Sequence, residues 1–365
     1  MPLEQQSRPG EETVYFFQQS PAVIKSSSLE ELLQKPEECC FISVENEDYD
    51  GSAVGLPVTF SDEKWKTVQA FLFLLAGLSV SALALAGVHD RQPITSPLPD
   101  IVFTYFNQVD NGLEMSEYLI LLVTYSTFTT MLFHHHRWII FRRVFVVAGL
   151  LYLGRGVTMF VTVLPQANLY YPCAAKMNNT NPLLIARRAV SLLSGLGLSI
   201  NGKLVYCGDF IYSGHTCSLV LCSLVFAEYT PQSHLFWRIA KWIIYGFATL
   251  GIFFVTVSRT HYTIDVLIAY CVTTVLFRVY HTISSNSQLK VESTNNTPNY
   301  LSRLWFFGII SYFERNTPDS KLPARFSCPI RRPALPRCLS FCQNVRSWLA
   351  TDKLQFEDQK LLSSH

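Results

Sequence analysis

The chain has 365 residues, 49% of them hydrophobic and 15% charged, with a formal net charge of +2 and a mean hydropathy of +0.21. That balance lies on the apolar side of an ordinary soluble domain, and it offers no electrostatic footprint for nucleic acid or a strongly acidic partner. The apolar residues fall in unbroken blocks of about 17 to 22, the length a helix needs to cross hydrocarbon at about 1.5 Å per residue.

From Met1 to about Ser61 the chain is polar, with acidic pairs at Glu11-Glu12, Glu30-Glu31 and Glu37-Glu38. It lacks an apolar core near its start and is not expected to be a signal peptide. The first span is predicted over Thr67–Val88, behind Lys64 and Lys66, which the positive-inside rule holds in the cytosol. The second, Leu113–Phe133, carries Thr124, Ser126, Thr127, Thr129 and Thr130, polar content suited to packing on protein. It ends in His134, His135, His136 and Arg137, read as a polar cap. A third span, Val144–Leu164, follows Arg142 and Arg143 and stops at Pro165. After a long loop come Phe210–Tyr229, Trp242–Val257 and Tyr262–Tyr280.

The expected fold class is an all-α integral membrane protein with six transmembrane helices and both termini cytosolic. Arg238 and Lys241, between the fourth and fifth spans, agree with that orientation. Lys176, Arg187, Arg188 and Lys203 in the long loop run against it, but long loops obey the rule poorly. Three regions follow: a polar cytosolic tail over 1–63 expected to be disordered, a six-helix catalytic domain over 64–281, and a basic cytosolic tail over 282–365.

Of the ten cysteines, Cys217, Cys222 and Cys271 fall inside apolar spans, and Cys39, Cys40, Cys328, Cys338 and Cys342 in the polar tails. Only Cys173 and Cys207 share the loop assigned to the lumen, where a disulfide could persist; a bridge and two free thiols both stay open. Asn178-Asn179-Thr180 is a glycosylation acceptor pattern in that loop, but Asn295-Asn296-Thr297 repeats it in the tail read as cytosolic, so the pattern carries little weight. Trp305–Phe313 could lie in the membrane interface. Arg331, Arg332, Arg337 and Arg346, interleaved with Cys328, Cys338 and Cys342, fit either a basic palmitoylated anchor or a solvated tail.

Ionisable groups at the mouths of transmembrane helices are costly and therefore candidates for function. One group is Cys207-Gly208-Asp209-Phe210-Ile211-Tyr212-Ser213-Gly214-His215-Thr216. There the Ser213-Gly214 pair lets backbone approach an anion, and the helix amino end favours negative charge. The other is His261-Tyr262-Thr263-Ile264-Asp265, where i,i+4 spacing places His261 and Asp265 on one helical face. A carboxylate bonded to one imidazole nitrogen leaves the other free to attack, and His215 can serve as acid and base. A single such histidine is more often a satisfied interfacial residue; two histidines with two aspartates on one membrane face favour chemistry. A metal site is the rival, weakened by the lack of a carboxylate cluster or close His pair in the sequence; neither metal nor cofactor is expected. Arg155, inside the third span, needs a carboxylate or a substrate phosphate, with Glu117 and Asp209 as candidate partners. Glu117 stands near a span end, where exposure to headgroups is the plain alternative.

At these residues the chain resembles the sphingomyelin synthase family of the lipid phosphatase and phosphotransferase superfamily. Four stretches match in order: Pro97-Leu98-Pro99-Asp100; Arg142-Arg143 through Leu151-Tyr152, Arg155, Thr158-Met159 and Leu164-Pro165; Cys207 to Thr216; and His261 to Tyr270, continuing as Phe277 to His281. The resemblance implies a lumenal or exoplasmic site in the Golgi or plasma membrane, with His215, His261 and Asp265 as a catalytic triad and Asp209, Ser213, Gly214, Arg155, Tyr262 and Glu117 in support. It also implies phosphatidylcholine as donor, ceramide as acceptor, and diacylglycerol and sphingomyelin as products. Two departures stand out: Thr260, where the family has an acidic residue, leaves phosphoethanolamine or phosphoinositol transfer open, and Gly154 stands where an aromatic is usual. A lipid phosphate hydrolase, a non-catalytic lipid-binding scaffold and a homo-oligomeric state also stay open. The Arg-Pro motif usual in the hydrolases is not visible, and no inverted repeat points to a transporter.

Overall fold

The computed structural model describes residues 62–168, 171, 173–177, 181–195, 206–290, 293–294, 297–318 and 322–326. The proposed acylation cysteines Cys328, Cys338 and Cys342, the asparagines of both glycosylation triplets, residues 1–61 and everything beyond 326 lie outside the described residues.

The described chain is helical. Helix α1 (Lys64–Val88) runs on into a 3-10 turn, His89–Arg91, and is followed by a short α2 (Ile101–Tyr105). Then come α3 (Gly112–Phe133), α4 (Arg137–Val161), α5 (Pro182–Ser194), α6 (Gly214–Tyr229), α7 (Leu235–Val257) and α8 (Thr263–Ser284). A two-residue hairpin pairs Ser293–Thr294 with Thr297–Pro298 ahead of α9 (Phe307–Glu314). Among the described residues, four helices are long and apolar enough to cross a membrane: Lys64–Arg91, α4, α7 and α8. The chain is an integral membrane protein.

Two of the six predicted spans fall short of that standard for visible reasons. Helix α3 has 22 residues, but Glu114, Glu117 and its Ser/Thr content dilute it; α6 has only 16 residues. The starts of three spans move by four residues or more. The fourth span begins at Gly214, because Ser213 caps it, its hydroxyl accepting the Thr216 N–H at 3.3 Å. The fifth starts at Leu235, ahead of Trp242. The third starts at Arg137, ahead of Val144, because Arg142 and Arg143 are buried inside the helix. Arg142 donates to Glu63 Oε2 at 3.1 Å and to Thr317 Oγ1 at 2.8 Å; Arg143 grips Glu314 along its Nε and Nη2 edge, at 2.8 Å for Nη2. A guanidinium that finds a carboxylate inside the protein need not mark the end of a helix.

Side-chain registers give the helix directions. Thr67 donates to the Trp138 carbonyl and Arg155 to Ser81, so α1 and α4 run parallel. Glu117 faces His215 while Thr127 donates to the Cys222 carbonyl, so α3 and α6 are parallel; so are α6 and α8, through Ser213 to Asp265 and Tyr229 to His281. Gly112 packs against Phe254 and Ser258, which sets α7 antiparallel to α3.

Helices α1 and α4 meet along a glycine seam. A Cβ on Gly77 would lie 2.6 Å from the Gly149 carbonyl oxygen, and one on Gly156 would crowd Val80 and Ser81. Small residues allow this approach, on which membrane helix association relies, and the approach brings Ser81 to Arg155. The segment after α8 folds back on the bundle: Phe307, Ile310 and Phe313 of α9 join the core made by α1, α4, α6 and α8. His134, between α3 and α4, is buried; burial, together with His136 and His135, pushes its imidazole down to about 4.

Candidate active site

His215 and His261 come together at the amino ends of α6 and α8, with ring centroids 5.8 Å apart. His215 is the second residue of α6. The Ser213 hydroxyl holds the Thr216 N–H, while the Gly214 and His215 N–H groups belong to the first helical turn, where no intrahelical carbonyl can reach them. That is the anion-favouring end of the helix dipole.

His261 lies just outside α8, whose N-cap is Tyr262. The i,i+4 relation to Asp265 is therefore not that of two residues on one helix face. Asp265 Oδ2 reaches back to the Tyr262 N–H at 3.1 Å, and Oδ1 accepts the Ile211 N–H at 3.0 Å. Its carboxylate thus ties the loop before α6 to the start of α8, and His261 Nδ1 sits 3.9 Å from Oδ2, beyond hydrogen-bond range. Asp265 is fully buried and His261 is 2% exposed. The buried His261 Nδ1 and His215 Nε2 have no hydrogen-bond partner, so the pair is close but not locked.

Glu117, on the first turns of α3, is 1% exposed, with Oε1 3.6 Å from His215 Nε2. It faces the histidine and not headgroups. Arg155 takes the other alternative: it ion-pairs with Asp209, donates from Nε to the Tyr212 carbonyl at 3.0 Å and from Nη1 to Ser81 at 2.8 Å. Its guanidinium lies flat on Gly214, where an added Cβ would meet it at 3.2 Å. Arg155 therefore pins the loop over 209–214 from below, and Thr158 adds a bond to the Ile211 carbonyl at 2.6 Å. Gly154 makes room for the Tyr212 ring: a Cβ there would sit 3.1 Å from the Tyr212 hydroxyl, which donates to the Leu151 carbonyl.

Tyr262 serves the scaffold. Its hydroxyl accepts the Leu98 N–H at 3.1 Å and donates to the Pro165 carbonyl at 3.2 Å, and burial pushes its phenol up. Asp100 has a role that the sequence did not reveal. Its Oδ2 accepts the Thr263 N–H at 2.8 Å and its Oδ1 the Thr263 hydroxyl at 2.6 Å and the Val102 N–H at 2.9 Å. Asp100 thereby fixes the turn that carries His261; the signal in the sequence was its place in the Pro97-Leu98-Pro99-Asp100 stretch of the family resemblance, which gave it no role. Cys173 and Cys207 form a disulfide at the head of the same loop. The buried His89 accepts the Cys207 N–H at 3.0 Å and reaches the Ala174 carbonyl at 3.1 Å. Thr260 is turned inward, bonded to Ser258 and to the Val255 carbonyl. Among the described residues no three His, Cys, Asp or Glu side chains gather closely enough to hold a metal ion.

Residues 206–282 match the family model described as PAP2 superfamily C-terminal, a stretch that includes both histidines, all of α6 and all but the last two residues of α8. Fold and match together define a membrane-embedded member of that superfamily. Phosphatidylcholine:ceramide cholinephosphotransferase 2 of Mus musculus is 37% identical over 304 residues, 82% of this chain and 80% of the relative; its Homo sapiens counterpart is 36% identical over the same length. Phosphatidylcholine:ceramide cholinephosphotransferase 1 of Caenorhabditis elegans is 36% identical over 268 residues, 73% of this chain and 55% of that protein. The chain belongs to the sphingomyelin synthase family, the family its four motif stretches resemble.

Proposed function

We propose that the protein is a sphingomyelin synthase, moving phosphocholine from phosphatidylcholine to ceramide. The observation that carries this reading is the pair of imidazoles 5.8 Å apart at two parallel helix amino ends, each with a carboxylate behind it.

With Nδ1 turned toward Asp265, Nε2 of His261 attacks the donor phosphorus. The bond from phosphorus to the diacylglycerol oxygen breaks, and His215 gives that oxygen a proton. The ceramide primary hydroxyl then returns a proton to His215 and attacks the phosphohistidine; the P–N bond breaks and His261 is restored. Splitting one transfer into two, at a nucleophile that leaves readily, requires no cofactor. Glu117 stabilises the cationic form of His215, the first-turn N–H groups of α6 receive the phosphoryl oxygens, and Arg155 with Asp209 holds that turn in place.

Six crossings accommodate the alternating helix directions, with the short α6 shielded inside the bundle by protein, the apolar side chains Tyr118, Leu122, Tyr125 and Phe128 of α3 exposed on its outer face, and both termini cytosolic. The histidine pair then faces the lumen or the cell exterior, in the Golgi or plasma membrane. A second reading has one specific support. Thr260 brings no charge beside His261 where the family resemblance calls for an acidic side chain, so ethanolamine or inositol donors remain competitors for choline. Cell-free synthesis into liposomes holding labelled ceramide and one donor at a time tests both. Labelled sphingomyelin from phosphatidylcholine supports the main reading, and product only from another donor replaces it. Free phosphate or phosphocholine without labelled phospholipid would assign the chain to hydrolysis.

A further inference from the structure

A cavity of about 480 Å³ opens at the end of the bundle opposite to His215 and His261, a size suited to a small polar ligand or headgroup. Arg143, Glu228, Tyr229, Phe277, Arg278 and His281 supply most of its wall, from the first turns of α4 and the last turns of α6 and α8. The reaction proposed above uses none of them.

The groups in this wall are not equivalent. Glu314 occupies the Nε and Nη2 edge of Arg143, and the Tyr229 hydroxyl lies against the same guanidinium. His281 Nδ1 lies 2.8 Å from the Phe277 carbonyl and must donate to it, so Nε2 accepts the Tyr229 hydroxyl at 2.8 Å. Both are satisfied. Glu228 has an interaction of its own. Arg278 differs: it is exposed, and among the described residues no carboxylate lies within ion-pair distance of it. A guanidinium at the rim with no ion-pair partner among the described residues matches the fork geometry by which arginine takes a phosphate.

What lies beside Arg278 selects the source of that phosphate. Ile264, Leu267, Cys271 and Val275 follow one another at three- and four-residue steps along α8 and lead to Arg278 on the same face; all four are exposed, the three aliphatic ones by more than half. A stripe of this kind offers an acyl chain a track ending at a cation. The helix directions put Lys64, Lys66, Arg137, Arg238 and Lys241 at this end too, as suits a leaflet rich in anionic lipid.

We propose that this cavity binds the phosphate headgroup of an anionic glycerophospholipid from the leaflet on that side, with Arg278 as its main contact. Arg278 is remote from the histidine pair, so the site is separate from the transfer reaction.

The test uses the purified full-length protein in detergent, titrated with radiolabelled dioleoyl phosphatidic acid and with bound lipid counted by native mass spectrometry. Wild type is expected to hold one phosphatidic acid per chain at a site whose affinity falls at least about tenfold in Arg278→Gln and less in Arg278→Lys. Ceramide transfer by Arg278→Gln in neutral liposomes should match wild type, showing that the variant is folded. Ser285→Trp, which fills the mouth and leaves the charge in place, should exclude the lipid as well. Undiminished binding in Arg278→Gln and Ser285→Trp would overturn the proposal. So would inorganic phosphate displacing the lipid at equal concentration, which would make the ligand a free anion.

Discussion

Asp100→Asn changes one atom in the buttress behind His261. In wild type the carboxylate accepts three hydrogen bonds, from the Thr263 N–H, the Thr263 hydroxyl and the Val102 N–H. An asparagine oxygen in the Oδ1 position can keep the latter two, but its amide nitrogen then meets the Thr263 N–H donor to donor. Hydrogen bonds to a charged group contribute about 1.5–3 kcal/mol each. Losing one of the three at the turn that aims the imidazole corresponds to a fall in kcat of about tenfold to a hundredfold, at about 1.4 kcal/mol per decade. KM should change little, because Asp100 is bonded only to the scaffold. Initial rates of transfer to a fluorescent ceramide in liposomes, with the melting temperature measured in parallel, check this. Thr263→Ser retains the hydroxyl and should retain activity, whereas Thr263→Val should lose part of it. An Asp100→Asn enzyme with unchanged kcat, or one whose loss lies wholly in KM, would refute the positioning role.

Three further outcomes follow from the packing. Burial alone would raise the Glu314 carboxyl, but Arg143, Arg142 and the Tyr280 hydroxyl hold it below the usual range. The stability it contributes is present above the ordinary glutamate range and is lost as pH falls through the lowered folded value. Glu314→Gln should cost about 3–5 kcal/mol at neutral pH and flatten the acid limb of a melting-temperature profile; an unchanged profile would contradict the buried pair. Reducing the Cys173–Cys207 bridge, which closes 34 residues of chain, should remove about 2–4 kcal/mol of stability and slow transfer by loosening the loop over 206–213; a reduced enzyme of full activity would show that the loop needs no tether. Gly77→Val drives a side chain into the Gly149 carbonyl and should cost about 1–3 kcal/mol, with activity falling as Ser81 draws away from Arg155; thermal melts and rates on one preparation decide it.

The helices were legible because a bilayer demands long apolar runs, and the histidines because His215 and His261 each stand in a short, polar helix-entry motif. The structure then brought two motifs 46 positions apart in sequence to within 5.8 Å. Arg155 was legible as an arginine in need of a partner, and Asp209 was one of two candidates. Contacts across long sequence separations were not legible: Asp100 with Thr263, 163 residues apart, or Arg143 with Glu314, 171 apart. Local pattern carries no trace of such partners, and the positive-inside rule, which counts arginines at span ends, reads Arg142 and Arg143 as flanking charges when they are buried inside α4. Asp265 shows a subtler limit. Its spacing from His261 implied a direct hydrogen bond, yet the helix begins after His261, so the carboxylate is spent on backbone N–H groups and stands 3.9 Å away.

The phosphorylated imidazole is the most direct thing to measure. Wild-type protein incubated with phosphorus-32-labelled phosphatidylcholine in the absence of ceramide should acquire acid-labile, base-stable label on His261, mapped by peptide sequencing and discharged into sphingomyelin when ceramide is added. His261→Ala should take up none and transfer none. Label that maps elsewhere, or transfer persisting in His261→Ala, would contradict the account.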